Sequence, residues 1–86
     1  MSQSGTFQSG EILDISLIYE MSIFTNAILG VNSPFPKIMC SNDGLTWCEY
    51  SEMTKSYMYL ADLMANKIKV DCNENLTFHY NANLKR

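Results

Sequence analysis

With 86 residues, 47% of them hydrophobic and 17% charged, the chain has material for one hydrophobic core and lies well outside the composition of disordered segments. A formal net charge of −3, with Arg86 the single arginine, excludes the basic stripe that duplex nucleic acid requires, and the scattered carboxylates exclude a polyanionic mimic. No run approaches the ~20 apolar residues of a membrane-spanning helix.

Residues 1–10, rich in Ser, Gly and Gln around Phe7, read as a flexible N-terminal tail or a short edge strand. The domain proper is expected over residues 11–81. From Leu13 to Ile23 every odd position is apolar (Leu13, Ile15, Leu17, Tyr19, Met21, Ile23), while Asp14, Ser16, Glu20 and Ser22 take even positions and Ile18 is the exception. On a helix these apolar residues would leave no polar face, so the period-two pattern predicts one long strand. Ala27 to Val31 allows a second strand, and Pro34 and Pro36 mark a loop.

Residues 37–41 and 45–50 read as a hairpin joined by Asn42-Asp43-Gly44, with Gly44 supplying the left-handed position. In that register Cys40 and Cys48 lie near one another. Met39, Leu45 and Trp47 share the face opposite Ile38, Cys40, Cys48 and Tyr50, so both faces of the hairpin are apolar. Ser51 is placed to cap a helix, with Glu52 at the positive end of its dipole; Met53, Tyr57, Leu60, Ala61 and Met64 then form one stripe ending near Asn66-Lys67. Met58 and Tyr59 fall on its outer side. Residues 68–72 and 76–80 alternate again around Asn73-Glu74-Asn75 and predict a second hairpin, with Ile68, Val70, Cys72, Leu76, Phe78 and Tyr80 inward and Lys69 opposite His79 outward. Residues 82–86 read as a polar C-terminal tail.

The expected fold is therefore α+β: an antiparallel sheet of four to six strands with one packed α-helix, in the order strand or strands, hairpin, helix, hairpin. One helix covers one face of such a sheet. The other face is solvated or held against a second copy or a ligand, which points to a homo-oligomer.

Little in the chain carries catalytic or metal chemistry. The intervals between Cys40, Cys48, Cys72 and His79 match no zinc-ligand spacing, and buried cysteines serve as small hydrophobes. Cys72 with His79, oriented by Asp71 or Glu74, is the one nucleophilic pair available, but the predicted register sets them on opposite faces. Asn42-Asp43-Gly44 lacks the several glycines of a phosphate loop. Neither a cofactor nor a metal is expected. Three cysteines, an odd number, and an N-terminus without a basic, apolar leader imply reduced thiols and a cytoplasmic location. Candidate binding residues are Met39, Leu45, Trp47, Met58 and Tyr59 as apolar surface, and Lys67, Lys69 and His79 as an anion-binding group.

The phrase from Tyr59 to Val70, read as a helix entering a strand through a Lys-containing turn, resembles small accessory proteins of bacteriophages. It covers about a seventh of the chain, and Asn66 stands where those proteins often place a glycine. The resemblance implies a non-enzymatic inhibitor that blocks a host protein or sequesters a small anionic nucleotide signal in the host cytoplasm. An oligomeric structural component is the alternative, and a minor Cys/His enzyme the third reading.

Overall fold

Alternation at period two runs through most of this chain, and the backbone along it is largely extended. The structure, a computed structural model, describes residues 2–31, 33–61 and 65–85. Eight strands follow in order: β1 (Ser2–Gln8), β2 (Leu13–Asp14), β3 (Ile18–Phe24), β4 (Lys37–Ser41), β5 (Cys48–Glu52), β6 (Tyr57–Ala61), β7 (Lys67–Asp71) and β8 (Thr77–Leu84). They form two antiparallel sheets, a front sheet in the order β1-β8-β3-β6 and a back sheet in the order β2-β7-β4-β5. Among the described strands the chain changes sheet at every connection except the β4–β5 hairpin.

The two sheets bury one shared core. Phe7, Met21, Ile23, Leu60, Phe78 and Tyr80 enter it from the front sheet, and Ile38, Ile68 and Val70 from the back. Ile15 and Met53, on connections between the sheets, plug it at the crossings. Phe7 stacks on Phe78 with centroids 5.4 Å apart, joining the N-terminal strand to the longest one.

The fold is thus all-β, and the expected α+β sandwich of sheet and helix is corrected: no helix is present among the described residues. The segment assigned to the helix instead completes β5, crosses between sheets and forms β6. Ser51 and Glu52 pair with Ile38 and Lys37, so Ser51 caps nothing. Met53 donates its amide to Pro36 O at 2.8 Å and is fully buried at the crossing. Tyr57-Met58-Tyr59-Leu60-Ala61 also alternates, with Leu60 inward and Tyr57 and Tyr59 outward; pairing with β3 supplies its backbone with partners. Two tyrosines favour the strand, and tertiary pairing overrides the helical spacing. Met64, the last residue of the expected stripe, lies outside the described residues.

The single strand expected from Leu13 to Ile23 is divided between the sheets. After β2 the chain turns, with Ile18 N donating to Ile15 O at 3.0 Å and Ser16 N to Asp14 Oδ1 at 2.9 Å. The turn changes the parity, so Ile15 and Ile18 are both buried while Leu17 and Tyr19 are exposed. An irregularity between Ile18 and Glu20 restores it, and Met21 and Ile23 point inward as expected. Residues 27–31 form no strand. Gly30 there has φ +76°, and a Cβ at this position would meet the Phe35 ring at 2.5 Å.

The hairpin at β4–β5 is present, with Cys40 opposite Cys48 and Gly44 at φ +78°. Its loop covers residues 42–47, longer than the three expected. The second expected hairpin is not formed: β7 pairs with β2 and β4 and β8 with β1 and β3, so Lys69 and His79 belong to different sheets. Residues 2–8 take the edge-strand alternative, paired along their length to β8, and β8 itself continues through Leu84 into the stretch read as a tail.

Candidate functional site

On the front sheet the residues not facing the core form an ordered grid. Antiparallel register sets Ser4, Asn81, Ser22 and Tyr59 in one row across the four strands. The row on one side holds Asn83, Glu20 and Ala61, and the row on the other Thr6, His79, Phe24 and Tyr57. Small serines at two points of the middle row leave a trough of about 250 Å³, bounded by Glu20, Asn81, Asn83 and Tyr59.

Hydrogen bonds fix this surface. The Tyr59 hydroxyl donates to Glu20 Oε2, and Asn83 Nδ2 donates to Glu20 Oε1 at 2.8 Å. Donation from Tyr59, then from Asn83, holds the Glu20 carboxyl below the usual carboxylate range, so it stays an ionised acceptor. Tyr57 OH and Ser22 Oγ share a hydrogen bond at 3.1 Å. Both tyrosines therefore reach across to the neighbouring strand, and they remain 56% and 53% exposed. His79 stacks on Phe24 with centroids 5.2 Å apart and 20° between planes.

Charge divides the two sheets. Glu20 is the one Asp, Glu, Lys or Arg in the four front strands, whereas the back strands carry Lys37, Lys67 and Lys69 and four carboxylates. The back face is thus solvated by ions of both signs, with Lys37 and Glu49 paired at 3.4 Å in the open.

The residues singled out from sequence do not come together. Met39, Lys67, Lys69 and Trp47 lie toward the outer side of the back sheet, where Lys69 Nζ sits 4.4 Å from the Trp47 ring centroid. Leu45 stands at the loop tip, 86% exposed. Met58 packs against the core, while Tyr59 and His79 are on the front face. The expected grouping of Lys67 and Lys69 with His79 is therefore split across the sandwich. Cys72 and His79 are likewise apart in role: the Cys72 thiol contacts Ser9 Oγ at 3.1 Å and donates to Glu74 O at 3.0 Å, and His79 is held by Phe24. The three thiols are free, and among the described residues no cluster of three or more His, Cys, Asp or Glu could hold a metal.

A larger depression of about 420 Å³ adjoins Cys40, Cys48 and the β4–β5 loop. Two of its polar residues, Ser41 and Asp43, are committed within the turn. Asp43 Oδ1 accepts from Leu45 N and Thr46 N, both at 2.8 Å, and from Ser41 Oγ at 3.0 Å. These bonds, the backbone ones first, lower the Asp43 carboxyl to about 2. The front trough, which groups a carboxylate, amides and hydroxyls from four strands, is the better site.

Sequence reading missed Glu20, Ser22, Phe24, Asn81 and Asn83. One signal was available: Asn81 and Asn83 continue the alternation of Phe78, Tyr80, Ala82 and Leu84, which marks a strand with an amide-bearing outer face rather than a tail. No family model, characterised protein or solved structure matches this chain. No helix of the described residues is long and apolar enough to cross a membrane.

Proposed function

We propose that this chain is a non-enzymatic binding domain whose recognition surface is the outer face of the front sheet. The carrying observation is the division of charge: a face of four strands holds one fixed carboxylate, four surface rings and a row of amides and hydroxyls, while ordinary ionic solvation is confined largely to the other sheet. Half-exposed aromatic rings beside oriented polar groups are the composition of recognition surfaces, which are depleted in charge and enriched in tyrosine. Catalysis is disfavoured because Glu20 is held as an acceptor, and Cys72 and His79 are each engaged elsewhere.

The test is amide-shift mapping on isotope-labelled protein with small probes of separate chemistries: phenol, acetamide, inorganic phosphate and glycerol. Phenol and acetamide are expected to perturb amides of β3, β6 and β8 most. Perturbations centred on the back sheet or on residues 42–47 would overturn the reading.

A further inference from the structure

Resting on that reading, we propose that the front face binds a neutral, hydroxyl-rich oligosaccharide. Three features select this chemistry. First, Tyr57 and Tyr59 are two residues apart on β6, and their hydroxyls are tied to Ser22 and Glu20 on β3, so two half-exposed rings are held side by side over the front sheet. The electron-rich face of an aromatic ring attracts the polarised C–H groups on one side of a pyranose, an apolar contact with a polar rim.

Second, the trough beside these rings presents both senses of hydrogen bond. Glu20 accepts through the lone pairs that Tyr59 and Asn83 leave open, Asn81 brings a donor and an acceptor, and Ser4 and Ser22 bring hydroxyls. A sugar hydroxyl donates and accepts at once, and a mixed set matches it where a purely cationic or purely apolar surface does not. The bonds within the set pre-orient Glu20 and Tyr59, so less freedom is lost on binding.

Third, charge excludes the main competitors. No lysine or arginine lies in the front strands, so phosphate, sulfate and nucleic-acid backbones find no counter-charge there, and Glu20 repels them. The trough of about 250 Å³ is shallow and polar, smaller than the usual site for a compact apolar ligand. It suits a short stretch of saccharide chain lying across the strands.

Affinity electrophoresis tests this directly. The protein is run through native gels containing hydroxyethylcellulose, soluble starch, galactomannan or heparin, with bovine serum albumin as the non-binding standard. Retardation by at least one neutral polysaccharide and by no more than the standard in heparin is expected. Tyr59→Ala and Asn81→Ala, both at exposed positions that leave the core intact, should each weaken retardation at least tenfold, and Lys37→Ser on the back sheet should leave it unchanged. Tyr59→Phe keeps the ring but not the bond to Glu20 and should fall between. Retardation by heparin alone, by no polymer, or undiminished in Tyr59→Ala and Asn81→Ala would overturn the saccharide assignment. If phenol and acetamide still map to β3, β6 and β8 in those cases, the ligand class has failed and the binding face stands; if they map elsewhere, both fail. Self-association abolished by Tyr59→Ala without saccharide binding would instead assign the face to a second copy of the chain.

Discussion

Replacing Leu60 and Tyr57 separately by alanine asks whether β6 is a strand. In a helix through this segment the two residues would share one buried stripe; in the strand Leu60 is 1% exposed and Tyr57 faces outward. Truncating a fully buried leucine removes its transfer free energy and leaves a cavity, together about 2–5 kcal/mol. A chain of this length carries about 4–13 kcal/mol of total stability at ~0.05–0.15 kcal/mol per residue, so Leu60→Ala removes a large share. The corresponding fall in melting temperature is at least about 8 °C at ~4–8 °C per kcal/mol. Tyr57→Ala loses an exposed hydrogen bond to Ser22 and a cross-strand contact with Phe24, about 1 kcal/mol or less. Thermal and urea melts followed by far-ultraviolet circular dichroism and Trp47 fluorescence measure both. Equal losses, or a larger loss for Tyr57→Ala, would refute the inward–outward alternation and with it the placement of Tyr57 and Tyr59 on the binding face.

Gly30→Ala should lower stability by at least about 1–2 kcal/mol in the same melts, since it adds left-handed strain at φ +76° and a clash with the Phe35 ring; an unchanged melt would mean the loop rearranges freely. The Asp43 carboxyl falls from 3.8 to about 2 on folding, so its contribution to the β4–β5 loop is fully present above about pH 4 and is lost as the pH drops toward 2. Trp47 fluorescence should report that transition, and Asp43→Asn, which still accepts backbone amides but does not ionise, should flatten it; an identical profile in the variant would assign the transition to other carboxylates. All three cysteines should titrate as thiols without reductant, exposed Cys48 fastest, and reductant should leave the melting temperature unchanged; two missing equivalents would show that Cys40 and Cys48, opposite in register, have closed a disulfide.

What the residues disclosed was local period, and what they withheld was pairing. Alternation at Ile68, Val70, Phe78 and Tyr80 correctly marks inward positions, because side-chain direction depends only on the strand itself. That β7 and β8 then join different sheets depends on the whole core, and a short turn between two alternating runs reads as a hairpin either way. The one true hairpin among the described strands, β4–β5, is the one whose turn chemistry is explicit: Ser41 and Asp43 bond the loop amides and Gly44 takes the left-handed position. The helix assignment failed at Tyr57 and Leu60, where spacings of three and four coincide with an alternating run short enough to satisfy both periods. The candidate site failed for the same reason. Rows such as Ser4–Asn81–Ser22–Tyr59 draw one residue from each of four strands far apart in sequence, so no motif spacing announces them.

A two-layer sandwich of this size has two outer faces to solvate, and this chain treats them differently. The back sheet is covered in the ordinary way, with charged residues alternating against the core residues of β4 and β7 and two glutamates on the exposed edge strand β5. Solubility alone would favour the same pattern on the front, because charged side chains solvate a strand face and guard its edges. Instead β1, β6 and β8 carry no Asp, Glu, Lys or Arg, and the one carboxylate on β3 accepts hydrogen bonds from Tyr59 and Asn83. Uncharged edge strands at β1 and β6 leave the front sheet without the charges that guard an edge against pairing with other chains. Such a departure from consistent solvation is what a functional surface is expected to show, and it supports the proposed binding face. The amides, hydroxyls and tyrosine rings left in place of ions suit the recognition proposed for this face, through directional hydrogen bonds and ring contact and not through net charge.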